Sequence, residues 1–182
     1  MQVDFLQKHL RAPMAIVCLL SAPCYAVDYL SVEQAQKLMF PQAAEFQKAH
    51  VLFTSEQKNS IEEKSGVRVA AKAQKIWNVL GTEGNFLGWF VVDYVIGKHL
   101  LIDYTVGISA AKEVLDVEIL SYRESYGGEI RSKNWLGQFA GKTLSSPLTL
   151  NRDITNIGGA TLSARHVTEG IKRILATINV IS

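Results

Sequence analysis

The chain has 182 residues, of which 48% are hydrophobic and 20% charged, and its formal net charge is +2. This composition suits one globular domain with an ordinary core. A charge so close to balance, with no basic run interleaved with aromatics, gives no footing for a nucleic-acid partner.

At the N-terminus Lys8, His9 and Arg11 precede the apolar run of residues 14–22, and small residues follow up to Ala26. A basic region, a short apolar core and a small-residue cut site describe a secretory signal peptide. The run is shorter than the roughly 20 residues a membrane-spanning helix needs. We therefore expect residues 1–26 to be a leader and residues 27–182 the mature domain. A buried N-terminal helix is the rival reading. The expected location is the periplasm, with membrane association if the leader is retained. Cys18 and Cys24 both lie in this leader, so a cut after Ala26 leaves no disulfide and no thiol chemistry. The four histidines show no HxxxH or HExxH spacing, and no metal site is expected.

The next stretch, "LSVEQAQKLMF", reads as a helix opened by a Ser31/Gln34 capping box and ended by Pro41. "FQKAHVLF" reads as a short strand, and Thr54 with Gln57 opens a second capped helix that Gly66 stops. Beyond Val67 the period changes, and "VRVAAKAQKIWNV" alternates only in part. "LGWFVVDYVIG", "HLLIDYTVGIS" and "VLDVEILSYRE" are rich in β-branched and aromatic residues and predict a meander of three antiparallel strands. Trp89, Tyr94 and Tyr104 are assigned to its packed face. A loop, "ESYGGEIRSKN", leads to a short helix, "WLGQFAGK". A last helix carries Val167, Ile171, Ile174, Leu175 and Ile178 on one side. The predicted fold class is α+β: N-terminal helices, an antiparallel meander and a C-terminal packing helix.

The last helix opens in "NIGGATLSARHVTEGIKRIL", residues 156–175. In the plainest reading Thr161 is its N-cap, with Gly158 and Gly159 making the turn before it. A helix start also presents free N–H groups and the positive end of the dipole, which favour a phosphate. A second pair, Gly127 and Gly128, follows the third predicted strand. Two glycine-rich loops could frame a phosphorylated planar cofactor, with Tyr126, Trp135 and Phe139 as aromatic walls.

"IGGATLSARHVTEGIKRIL" closely resembles the flavinylation segment of the FMN-binding domain family, which includes NqrC- and RnfG-like subunits of membrane redox pumps and small exported proteins. "YRESYGGEIRSKNWLGQFAGK" and "YLSVEQAQKLMFPQAAEF" resemble two further segments of the exported members, in the same order. The resemblance implies FMN attached covalently through its phosphate to Thr161 by a flavin transferase that draws on FAD. Gly158, Gly159 and Ala160 would keep that segment small. Ser163 would reach the phosphate, while Arg165 and His166 would add charge. Glu124, Tyr126, Gly127, Gly128 and Trp135 would border the flavin ring. Thr155 stands where the family often has an aspartate, with Asp153 two residues earlier. The implied function is an exported electron carrier working between membrane or periplasmic donor and acceptor proteins. Its redox chemistry would belong to the cofactor and need no catalytic residue of the chain. A flavin-free or noncovalent FMN-binding module is the alternative. A hydrolase built on Ser163 or Thr161 with His166 lacks a GxSxG elbow.

Overall fold

The first two helices are set by their opening residues. In the computed structural model, which describes residues 27–182, both expected capping boxes form. Ser31 and Gln34 cap α1 (Val32–Met39), and Thr54 and Gln57 cap α2 (Ser55–Ser65). Each cap satisfies N–H groups that a helix start leaves open, and is worth about 1 kcal/mol. Gly66 ends α2 in the left-handed region at φ 67°, where a side chain would be strained. The expected leader lies outside the described residues.

The sheet is antiparallel throughout. Its strands are β1 (Val27–Asp28), β2 (Ala43–Lys48), β3 (Val51–Leu52), β4 (Ala73–Gly81), β5 (Phe86–Ile96), β6 (Leu101–Ser109) and β7 (Val114–Tyr122). They lie in the order β1-β7-β6-β5-β4-β2, and β3 also pairs with β4. The meander thus has four strands, β4 to β7, rather than the three predicted. The extra strand β4 mixes Gln74, Lys75 and Asn78 with apolar residues, which blurs its period. Pairing with β5 and β2 supplies what the local pattern lacks. "FQKAHVLF" likewise resolves into the end of β2 and the short β3.

One face of the sheet carries the main core. Val167, Ile171, Ile174, Leu175 and Ile178 of α4 (Thr161–Ile181) are fully buried against Ile76, Val91, Ile102, Val106 and Val117. Each such side chain contributes about 1.5–3 kcal/mol as it leaves water. The other face is covered by α1, whose Ala35 and Met39, with Phe40 just beyond it, pack on Val79, Phe90 and Leu120. Trp89 and Tyr104 are buried toward α4 as expected. Tyr94 is not: it is 57% exposed. It stands an odd number of residues from Trp89, so the pleat turns it to the opposite face, beyond the cover of α1.

Helix α4 is locked to the sheet by a polar contact as well. Tyr104 lies directly opposite Asp93 in the β5–β6 register, and its hydroxyl donates to Asp93 Oδ2 at 3.1 Å. Arg173 of α4 donates to the same oxygen at 2.7 Å. A Cβ on Gly170 would stand 2.1 Å from the Tyr104 hydroxyl, so only glycine lets α4 approach this closely. Burial pushes the Tyr104 pKa up and the Asp93 carboxylate adds to the effect, which keeps the phenol protonated as a donor. Removing the shared acceptor would leave the buried Arg173 charge unmatched. Asp93→Ala is therefore expected to cost about 3–5 kcal/mol, read as a lower urea midpoint. A midpoint equal to that of the wild type would contradict this account of how α4 is held.

Candidate functional site

Three pieces of chain meet at one end of the sheet: the β5–β6 hairpin, the loop after β7, and the mouth of α4. Tyr122 closes β7, and its hydroxyl donates to the Tyr126 carbonyl at 2.5 Å, with Ser163 Oγ 3.5 Å away. Burial raises the Tyr122 pKa, although the Ser163 contact opposes the shift, so the phenol remains a donor at neutral pH. Gly127 stands at φ 86°, and a Cβ there would lie 2.1 Å from the Ala160 Cβ. The two smallest side chains therefore touch where the loop crosses the helix mouth.

The segment leading into α4 is a tight turn. The Ala160 N–H donates to the Ile157 carbonyl at 3.1 Å, and Gly159 holds φ 78°, as a turn of this kind demands of its third residue. Ala160 is the N-cap, and among the described residues no side chain caps the helix. This corrects the plain expectation that Thr161 is the cap. Thr161 is the first helical residue, exposed, and its hydroxyl accepts from Asn156 Nδ2 at 3.2 Å. The helix mouth thus keeps its dipole unanswered beside an exposed hydroxyl.

A cavity of about 440 Å³ opens at this mouth, within the range of small-molecule sites. It brings together Glu124, Tyr126, Gly159, Ala160, Thr161 and Ser163, all expected from the sequence, with Lys98 and His99, which were not. Tyr126 and Leu162 give it apolar walls that are 81% and 42% exposed. Glu124 anchors the hairpin: Oε1 accepts from the His99 N–H at 2.6 Å and the Leu100 N–H at 2.9 Å. Burial pushes the Glu124 pKa up, but these bonds, with the Lys98 N–H, outweigh it and the net shift is downward. A Cβ on Gly97 would lie 2.8 Å from Glu124 Oε1 and 3.0 Å from Ser163 Oγ, so hairpin, loop and helix converge on that glycine.

Other candidates lie elsewhere. Gly128 begins a 3-10 turn, Gly128–Arg131, and does not line the cavity. Trp135 is buried in the main core, with its edge against Phe139 and its indole N–H donating to the Thr155 carbonyl at 2.7 Å. With Gly158 it lines a second cleft. Arg165 and Thr161 border a third, on another flank of α4. His166 Nδ1 lies 2.5 Å from the Ile96 carbonyl and Ser163 Oγ faces the Tyr122 hydroxyl, so Ser163 and His166 do not pair with each other. Asp153 is occupied by Lys142 and by the N–H groups of Leu148 and Thr149, shaping the loop rather than offering itself to a metal. Among the described residues no cluster of metal-ligating side chains occurs. Lys98 and His99 were missed because their sequence signal is only a polar hairpin turn. What brings them to Thr161 is the register of four strands.

Fold and site together define an α+β domain with an anion-favouring helix mouth beside a mixed cavity. Residues 97–176 match the sequence model of the FMN-binding domain. No curated protein matches the sequence. Among solved structures, the NqrC component of the Na(+)-translocating NADH-quinone reductase of Parabacteroides distasonis aligns over 84% of this chain and 85% of its own, at 14% identity and TM-score 0.53. The likeness is one of fold. NqrC of Shewanella oneidensis aligns over 84% of this chain and 77% of its own, at 14% identity and TM-score 0.48. The residues at the cavity fit FMN: an exposed hydroxyl and an uncapped helix for the phosphate, and Tyr126 and Leu162 for a planar ring.

The depressed pKa of Glu124 sets a direction for pH. Its bonds to the hairpin are in place above the ordinary glutamate range near pH 4.3 and are lost as pH falls through the lower folded value. Amide protection factors at His99 and Leu100 are expected to drop in that acid window, and to be low already at neutral pH in Glu124→Gln. Protection that ignores both acid and the substitution would remove Glu124 as the hairpin's anchor.

Proposed function

We propose that this protein is an exported flavoprotein electron carrier that holds FMN through a phosphodiester on Thr161. The observation that carries this reading is the exposed Thr161 hydroxyl at an uncapped helix mouth, opening on the cavity inside the matched FMN-binding segment. In the attachment step the Thr161 oxygen bonds to the flavin-side phosphorus of FAD. The pyrophosphate bond breaks, AMP leaves, and the hydroxyl proton is lost to a base of the transferase. The bound flavin supplies the redox chemistry.

The chain's own residues position and shield. The helix mouth stabilises the phosphodiester charge, and the Gly127–Ala160 contact keeps the loop against it. Asn156, bonded to the Thr161 hydroxyl, orients the oxygen that reacts. Gly158 has no close neighbour to forbid a Cβ, and its φ lies outside the left-handed region. The fold does not require glycine there, which agrees with a segment gripped by a modifying enzyme. Thr155 takes part through its backbone, with its N–H on Gln138 and its carbonyl on Trp135. Loss of the usual aspartate thus leaves this approach to the turn intact.

Export by the leader of residues 1–26 belongs to the same proposal. No cysteine occurs in residues 27–182, so the domain needs no oxidative folding outside the cytoplasm. A covalent link suits that setting, because a cofactor lost there by dissociation is not readily replaced. The electron donor and acceptor are then separate membrane or periplasmic proteins.

Intact mass of the exported protein, co-produced with a flavin transferase, tests the attachment. One FMN-sized increment is expected on the wild type and none on Thr161→Ala. An increment on the variant would move the site. No increment on either, with the transferase active on another acceptor, would leave the alternative of a noncovalent or flavin-free module.

A further inference from the structure

Two sources of positive charge border the cavity. One source is the uncapped mouth of α4, which lies at Thr161 itself. The other is Lys98, on the hairpin that forms another wall of the same cavity. Its ammonium has no ion-pair partner among the described residues. The charged or titratable groups lining the cavity, apart from the tyrosine, are Lys98, His99 and Glu124. Glu124 directs its charge to the hairpin N–H groups. Glu124, the one acid lining the cavity, holds the hairpin in place and makes no ion pair with Lys98.

We propose that Lys98 is the residue that sets the reduction potential of the bound flavin, by offsetting the charge its ring gains on reduction. This rests on the reading of the cavity as an FMN site. Two electrons from the donor and one proton from water leave the ring with one negative charge. A fixed cation beside the ring favours that charged form over the neutral oxidised one, which raises the potential. Glu124 and Gly97 act as positioning residues: the first pins the hairpin through His99 and Leu100, and the second allows the hairpin to lie against Glu124 and Ser163. Lys98 is exposed, so replacing it leaves the core untouched.

The test compares wild type, Lys98→Gln and Lys98→Arg, each produced with the transferase, weighed intact and titrated by spectroelectrochemistry. Lys98→Gln is expected to lower the equilibrium constant for two-electron reduction about tenfold, or about 30 mV for a two-electron couple. Lys98→Arg keeps the charge and is expected to keep the potential, a rescue that a merely structural role would not produce. If all three carry FMN and the Gln variant keeps the wild-type potential, this inference is overturned while the proposed function stands. If the potential falls equally in the Arg variant, charge is not the cause and the inference is again overturned. A wild-type chain that carries no FMN overturns both.

Discussion

Everything at the functional end of this domain depends on where α4 lies. The helix brings its fully buried stripe down on the sheet, and the Asp93–Tyr104–Arg173 contact fixes its position along the strands. Gly170 sets how closely it approaches. Dispersion and burial hold such a helix down but are tolerant of small slides, because apolar contact is not directional. A carboxylate shared by a phenol and a guanidinium is directional. Its effect is to hold Thr161, three turns before Arg173, beside the β5–β6 hairpin.

The site is built from close approaches of small residues. Gly127 meets Ala160, and Gly97 meets Glu124 and Ser163. Between these contacts the chain leaves a cavity walled by a tyrosine and a leucine, with a helix mouth at one side and a lysine on the hairpin. The arrangement separates two tasks. Under the proposed function the mouth of α4 would answer the permanent charge of a phosphate, and the hairpin a charge that comes and goes with electrons. Glu124 joins them, since its carboxylate places the hairpin without contributing an unbound anion to the cavity.

Local signals were legible in the sequence wherever the physics is local. Both capping boxes, the Gly66 stop and the buried stripe of α4 are written in residues three or four apart, and all of them form. The glycine turn before Thr161 was equally readable. What local reading missed comes from long-range pairing. Strand β4 has a weak period of its own and exists through its neighbours, and Tyr94 is turned outward by strand parity. Lys98 and His99 stand about sixty residues before Thr161 and reach it only through the register of the meander. Trp135, expected beside the flavin from its sequence proximity to the glycine-rich loop, bonds the Thr155 carbonyl in the core and borders the second cleft rather than the cavity at Thr161.

The central claim is that an FMN tied to Thr161 lies between the hairpin and the mouth of α4. Comparison of backbone amide shifts by NMR, with and without attached FMN, tests it most directly. The account predicts the largest changes in residues 97–100, 124–127 and 159–163, with the Trp135 indole N–H unmoved. Shifts concentrated instead at the Trp135 indole and residues 132–138 and 155–158, with the hairpin silent, would contradict it and put the ring in the second cleft.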